Sequence, residues 1–252
     1  MTRRDKLVQV VSTLSQSQVD LLLEMVEAFT SPVEQTLLPT TDFVDSAFAD
    51  QFCNRLRIHH ATTAGKVKKK TFEYAFVEAS RHGGHDAEIT SSATMAGADV
   101  VRNGERFSLK TEASANISSD SITISKFSEA RWIRECSGPH DFCRETQSRI
   151  PRHLDEYDRV VTLRAIDQET SRIRYDLVEI PTDVLRRIEV LTPQDFSEPT
   201  VNGSSSADIR DSTGRRLFKL RLDGSVEKVT ISGLLIACCV THASWTVAVV
   251  DE

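Results

Sequence analysis

Nowhere in the 252 residues is there an apolar run long enough to span a bilayer. The N-terminus, MTRRDKLVQVV, carries charge but no long apolar stretch and no small-residue cleavage site. No signal peptide and no membrane partner are therefore expected, and a cytoplasmic setting is. The five cysteines fall into no framework pattern and read most simply as reduced thiols. Cys136 and Cys143 flank His140 at metal-like spacing but lack a second pair, and Cys238-Cys239 lie among apolar residues, as buried thiols do. Positive charge is not in excess either: 31 Lys and Arg against 37 Asp and Glu give a net charge of −6. That argues against a protein that coats nucleic acid without selectivity. It leaves room for a basic cleft offset by acid elsewhere. Internal repeats, a phosphate loop, a dinucleotide fingerprint and a Ser-His-Asp order are all missing.

What is present is enough apolar residue, 39%, for one substantial core or two small ones. Residues 4–30 read as helices, with Val19, Leu22, Leu23, Met25, Val26 and Phe29 at helical spacing and Ser15 or Ser17 as cap. That stripe is expected in the core or at a dimer interface. Residues 31–66 look less regular, a mixture of short helices and loops. Lys68 to His82 reads as a helix, with Phe72, Ala75, Phe76 and Ala79 on one face and Gly83-Gly84 at its end. Residues 139–157 read as mostly helical, interrupted at Pro151. YDRVVTLRAI and RIRYDLVEI read as strands, and IPTDVLRRIEVL as a helix entered through Pro181. VNGSSSADIRDSTG predicts a mobile loop. RRLFKLRLDGSVEKVTI follows as a hairpin turning at Asp223-Gly224, and ASWTVAVV as a last strand. The order indicates an α/β fold: one domain over 1–252 with an N-terminal helical part (1–66), a central core (67–195) and a C-terminal β-hairpin part (196–252).

The segment with chemical content is VVRNGERFSLKTE, an Asn-Gly hairpin. If Asn103-Gly104 forms the turn, Arg102 faces Glu105, Val101 faces Arg106, Val100 faces Phe107 and Asp99 faces Ser108. Alternation then puts Asp99, Ser108, Lys110 and Glu112 on one face, and Val100, Phe107, Leu109 and Thr111 on the other, mostly apolar one. Lys110 lies diagonal to Asp99, roughly 7–8 Å away at the backbone. Two carboxylates and a lysine on one face suit metal-assisted phosphodiester hydrolysis. Mg²⁺ needs only one or two carboxylates and keeps several waters. The lysine can position the attacking water or stabilise developing negative charge. Lys and Glu two apart are common on solvated sheet faces. This hairpin stands out because its other face is apolar and because Glu73, beside the apolar stripe of the preceding helix, can reach the same place.

These residues resemble the PD-(D/E)XK nucleases, in which an acid on one strand is followed by acid-x-Lys on the next, often with a glutamate from the preceding helix. Asp99 matches the first acid, Lys110 the lysine and Glu73 the helix glutamate. Ser108 stands where the second acid belongs, so that Glu112 or Glu73 must replace it. A narrower resemblance, clearest over 55–130, is to type II restriction endonucleases of the SmaI family. It is carried by Thr71-Phe72-Glu73-Tyr74-Ala75-Phe76, Leu109-Lys110-Thr111-Glu112-Ala113 and Asn116-Ile117-Ser118. The resemblance implies a restriction-endonuclease-like core, a central mixed β-sheet flanked by helices. It also implies Mg²⁺ dependence, a homodimer, and double-strand cutting of DNA at a palindromic site, GC-rich if the specificity residues also match. By this reading the catalytic residues are Asp99, Lys110, Glu112 and Glu73, with Asp99, Glu112 and Glu73 as metal ligands.

Secondary candidates are weaker. Lys68 and Lys69, in a lysine run with Lys66 and Lys70, could contact phosphate, which positions DNA without reading it. Arg215, Arg216, Lys219 and Arg221 could contact DNA from a two-stranded ribbon in the major groove, where arginine pairs well with guanine. A charged exposed hairpin is an equally good reading. His59-His60 fit a surface or capping role better than a site role, and His82 and His85 fit a solvated loop. Two other functions remain open: a nuclease of the same class acting in repair or another phage-defence role, and a catalytically degenerate DNA-binding module.

Overall fold

The computed structural model describes residues 1–90, 97–168 and 171–249. Helices α1 (Arg3–Val11) and α2 (Gln16–Thr30) open the chain, the second with Ser15 and Gln18 in a reciprocal capping box. Then come β1 (Glu34–Leu37), α3 (Ser46–Thr62), α4 (Lys69–His82), β2 (Ala87–Ile89), β3 (Val100–Arg102), β4 (Glu105–Glu112) and β5 (Ser121–Glu129). The second half holds α5 (Pro139–Leu154), β6 (Arg159–Gln168), β7 (Arg172–Ile180), α6 (Thr182–Arg186), β8 (Ser205–Arg210), β9 (Arg216–Asp223), β10 (Lys228–Leu235) and β11 (Val240–Ala248).

The strands form a seven-stranded sheet, β1-β11-β7-β6-β4-β3-β2, and a four-stranded sheet, β5-β10-β9-β8. Only β4 and β6 run parallel, so the larger sheet is mixed, as expected. Each of its faces carries an apolar core. On one face Phe48, Phe52 and Leu56 of α3 and Phe72 and Phe76 of α4 cover Val100, Phe107, Leu109, Leu163, Leu177 and Trp245. On the other, Val160, Val178 and Ile180 meet α5 and the inner face of the smaller sheet, including Phe142, Ile150, Phe218, Leu220 and Ile231. The stretches 1–66, 67–195 and 196–252 all contribute to this assembly: β1 and β11 complete the larger sheet. No helix of the described residues is long and apolar enough to cross a membrane.

Several expectations are corrected. Residues 46–62 form one long helix, capped where Asp45 accepts from the Phe48 N–H at 2.7 Å, and it supplies a large share of one core. The polar stretch 201–214 contains β8, held by pairing to β9 and by burial of Ala207 and Ile209. Pro151 lies inside α5 without ending it, within the final turn, where few backbone bonds remain to be lost. Of the two expectations for the apolar stripe of α2, the core is not met, since none of its residues is buried and Leu23, Val26 and Phe29 are exposed, which leaves the dimer interface. The thiols of Cys136 and Cys143 donate to the Trp132 and Leu191 carbonyls, and burial pushes both thiol pKa values up, as for inert buried cysteines.

Candidate active site

The hairpin has the expected register: Val100 pairs with Phe107, Val101 with Arg106 and Arg102 with Glu105. Asn103 (φ 49°) and Gly104 (φ 85°) both take positive φ, as the tight turn matching strand twist requires. The ladder between β3 and β4 stops there, and Asp99 takes over at its end. Its N–H donates to the Phe107 carbonyl at 2.8 Å, and its Oδ2 accepts from the Leu109 N–H at 2.7 Å. The second bond fixes the carboxylate against β4 and leaves Oδ1 facing the N-terminus of α4.

There α4 presents Lys69 and, one turn later, Glu73. The Lys69 Nζ lies 2.7 Å from Asp99 Oδ1 and 3.7 Å from Glu73 Oε1. Glu73 is buried. Its burial, and the like charge of Asp99, raise its pKa. Lys110 is pulled down to about 8, first by burial and then by Lys69, while Asp99 and Glu73 oppose the shift. Asp99, Glu73, Lys69 and Lys110 thus form one electrostatic unit. Two acids gathered on one ammonium already fit a cation, and their all-oxygen donor set suits Mg²⁺.

Ser108, where the sequence pattern wants an acid, is fully buried and its hydroxyl has no partner among the described residues. Of the two carboxylates offered in its place, only Glu73 turns to Asp99. Glu112 points elsewhere: its Oε2 accepts from Arg164 Nε at 2.7 Å and its Oε1 from the Thr123 N–H at 2.7 Å. Arg164 is itself fully buried and also donates to the Ser118 and Ser121 carbonyls at 2.6 and 2.9 Å. Both Glu112 oxygens therefore serve to tie β4, β5 and β6 together, and neither turns to Asp99 in this structure.

A cleft of about 430 Å³ runs beside the hairpin, lined by Lys69, Lys110 and Thr111 on one wall and by 124–129 of β5 on the other. The sequence reading missed Lys126 on that wall. Opposite Val229–Ile231 of β10, β5 uses Ile124–Ser128, so extra residues bulge out and carry Lys126 toward the lysines of the other wall. The one available signal was a lysine interrupting the alternation of SITISKFSE.

The other candidates lie apart. Lys68 is exposed at the N-cap of α4, and Lys66 is bound to the Ser114 carbonyl and Asp167. His59 and His60 are not at the site: His60 is buried, with Nε2 2.7 Å from the Tyr175 hydroxyl and Nδ1 3.1 Å from the Thr63 carbonyl. His85 pairs with Asp45. The strand carrying Arg216, Lys219 and Arg221 is an inner strand of the smaller sheet, so no free two-stranded ribbon is available to enter a groove. Arg216 and Lys219 reach Asp208 at 3.7 and 3.8 Å, whereas Arg215 and Arg221 have no ion pair among the described residues. By ligand spacing alone a different group would hold a metal: Asp42, Glu179 and His242, whose ligand atoms lie within 4.8 Å of one another. The Arg159 guanidinium already joins its two acids, at 2.9 Å from Asp42 Oδ1 and 2.8 Å from Glu179 Oε2.

A mixed sheet with an acid at the start of one strand, a lysine on the next and a glutamate from the flanking helix is consistent with the nuclease class that the sequence resembles. Comparison with known proteins narrows the class. The SmaI family, described as type II site-specific deoxyribonuclease, matches residues 7–247. The type II restriction enzyme SmaI of Serratia marcescens is 30% identical over 255 residues, covering 97% of each chain. The chain belongs to the SmaI family of type II site-specific deoxyribonucleases. It is a restriction endonuclease, with DNA as its substrate. No solved structure matches it.

Proposed function

We propose that this endonuclease hydrolyses phosphodiester bonds in both strands of duplex DNA with Mg²⁺ held by Asp99 and Glu73, and that it acts as a homodimer on a palindromic site. The observation that carries the reading is the convergence of Asp99 Oδ1 and Glu73 Oε1 on one cationic group, with Lys110 half-buried beside them. When bound, Mg²⁺ offsets charge on the scissile phosphate and lowers the pKa of a coordinated water. The chain does the rest. The Leu109 N–H holds the Asp99 carboxylate in one orientation. Lys110 is half-buried on the cleft wall, where screening by water is reduced and its ammonium can stabilise charge developing on the phosphate. Lys69 and Lys126 supply positive charge along the cleft. Each chain has one such site, and the strands of a palindrome are related by a two-fold axis, so two copies related by the same axis would cut both strands.

The test is digestion of unmethylated genomic DNA with and without Mg²⁺, followed by sequencing of every end. Ends within one palindromic sequence, only when Mg²⁺ is present, are the expected result. Equal cutting in chelator would refute the metal reading, and ends without two-fold symmetry would refute the dimeric one. Sedimentation at micromolar concentration checks the dimer directly.

A further inference from the structure

Lys69 occupies the position between Asp99 and Glu73 that the proposed function gives to the metal. We propose that Lys69 is a positioning residue with two seats: without metal its ammonium holds the two carboxylates together, and when a divalent cation takes that place it is released to a backbone phosphate of DNA in the cleft. This rests on the reading that Asp99 and Glu73 are the metal ligands.

The helix does not by itself favour Lys69 where it is. A lysine in the first turn faces the positive end of the helix dipole, and Lys preceding Glu by four residues is the weaker orientation of that pair. The carboxylates hold it, Asp99 at 2.7 Å and Glu73 at 3.7 Å. That hold is reversible in kind. The side chain is 46% exposed, and an ammonium on a flexible stem is a point charge with no fixed fork to satisfy. The second seat is adjacent, because Lys69 lines the cleft together with Lys110 and Lys126. Among the described residues the only carboxylate lining the cleft, Glu129, is already paired with Lys126 at 2.7 Å.

The charge balance gives the exchange a consequence. Asp99 and Glu73 against Lys69 and Lys110 sum to zero when all are ionised. A divalent cation raises the cluster to a net positive charge and frees an ammonium for phosphate. Metal and DNA therefore favour each other's binding, and the linkage is reciprocal.

The experiment uses the full-length protein. Mg²⁺ binding is measured by calorimetry without DNA, for the parent protein, Lys69→Met, Lys126→Met and Asp99→Asn, with a thermal melt for each. Asp99→Asn keeps an acceptor for the Leu109 N–H. DNA binding is then measured against salt concentration, in Ca²⁺ and in chelator, on a duplex checked afterwards for integrity. Lys69→Met is expected to bind Mg²⁺ tighter by at least about fivefold, the low end of ordinary coupling. Lys126→Met, which removes a nearby charge that does not touch the carboxylates, is expected to change Mg²⁺ affinity less. In Ca²⁺, Lys69→Met should lose about 0.9 of the slope of log affinity against log salt, one phosphate contact. In chelator, where Lys69 is already occupied, it should lose almost none. Unchanged or weaker Mg²⁺ binding in Lys69→Met, a gain matched by Lys126→Met, or the same slope loss in chelator would each overturn the proposal. If Asp99→Asn binds Mg²⁺ like the parent, the metal-site reading falls and takes this proposal with it. If Asp99→Asn loses Mg²⁺ and Lys69→Met gains nothing, only the role of Lys69 is wrong.

Discussion

Two groups of carboxylates in this molecule are organised around a single basic side chain, and they differ in which base it is. Around Arg159 stand Asp42, Glu105 and Glu179, with His242 on Glu179. The guanidinium side chain is 17% exposed and lies over the rings of Phe43 and Phe107 at 5.3 and 6.0 Å. Its donors are spread over acids from β4, β7 and the segment before α3, so no single exchange could release it. Around Lys69 stand Asp99 and Glu73, and its side chain is 46% exposed on the wall of a cleft. Judged by ligand spacing, the first group looks more like a metal site. The contrast shows why spacing misleads. A cation site has to be able to exchange its cation, and a planar fork shared by three acids and lying over two aromatic rings has to give up every one of those contacts to leave.

The widest separation of the two groups should come from activity. Lys110→Ala removes charge stabilisation at the reacting phosphate and is expected to slow single-turnover cutting by at least about 10²–10³-fold, while DNA binding and the thermal midpoint stay close to the parent's. Cutting within tenfold of the parent would remove Lys110 from the site. Arg159→Met should do the reverse. It takes from Asp42, Glu105 and Glu179 the cation they share and is expected to lower unfolding free energy by about 1–2 kcal/mol in urea titrations, with Mg²⁺ affinity of the folded fraction unchanged.

Glu112 extends the comparison to a third acid. It sits two residues from Lys110 on the same strand, yet it belongs with Arg159 in kind. Glu112→Ala is expected to cost about 3 kcal/mol of stability, because Arg164 is left charged and fully buried. Mg²⁺ binding should persist. A stable Glu112→Ala protein that no longer binds Mg²⁺ would reinstate Glu112 as a ligand.

The same residue shows how far the sequence could be read. The Asn103-Gly104 turn fixes register locally, so the pairing of Val100 with Phe107 follows from adjacent residues, and so does the placement of Asp99 beside β4. The helix bearing Glu73 is legible from its 3.6-residue period. What faces Glu112 is not legible. Arg164 comes 52 residues later and meets Glu112 through the parallel pairing of β4 with β6, a contact made only once the sheet is assembled. For the same reason β8 escapes notice: its small polar residues become a strand only by pairing with β9. Lys126 depends on a bulge set by its partner strand.

A pH titration tests a group that the sequence reads as surface or capping and the structure places in the core. Burial holds His60 at a pKa of about 4, well below its ordinary 6.5. Between those values the unfolded chain binds a proton that the folded one does not, so this contribution to stability is complete above pH 6.5 and is lost as pH falls toward 4. Lowering pH from 7 to 5 should cost about 2 kcal/mol through this residue. The measurement is the difference in urea midpoint shift between the parent and His60→Gln. Equal shifts would mean that His60 is not held neutral. Cutting rate should show no His60-dependent step over that range in the folded protein.

The smallest effects are expected on the outer face of the smaller sheet, where the opening contrast recurs in weaker form. Arg216 and Lys219 lean on Asp208, at 3.7 and 3.8 Å. Arg221 is exposed and has no ion pair among the described residues. Opposite it in the ladders stand Thr230 and Ser206, neither of them acidic. A base with no competing acid loses nothing when it turns to phosphate, whereas a paired one gives up its partner. Arg221→Ala should therefore weaken DNA binding more than Arg216→Ala. If Arg221 makes one phosphate contact, the slope of log affinity against log salt should fall by about 0.9. Both variants should keep unfolding free energy within about 0.5 kcal/mol of the parent, since neither side chain is buried. Equal salt slopes for the parent and Arg221→Ala would place the DNA away from this face and confine it to the cleft between Lys69 and Lys126.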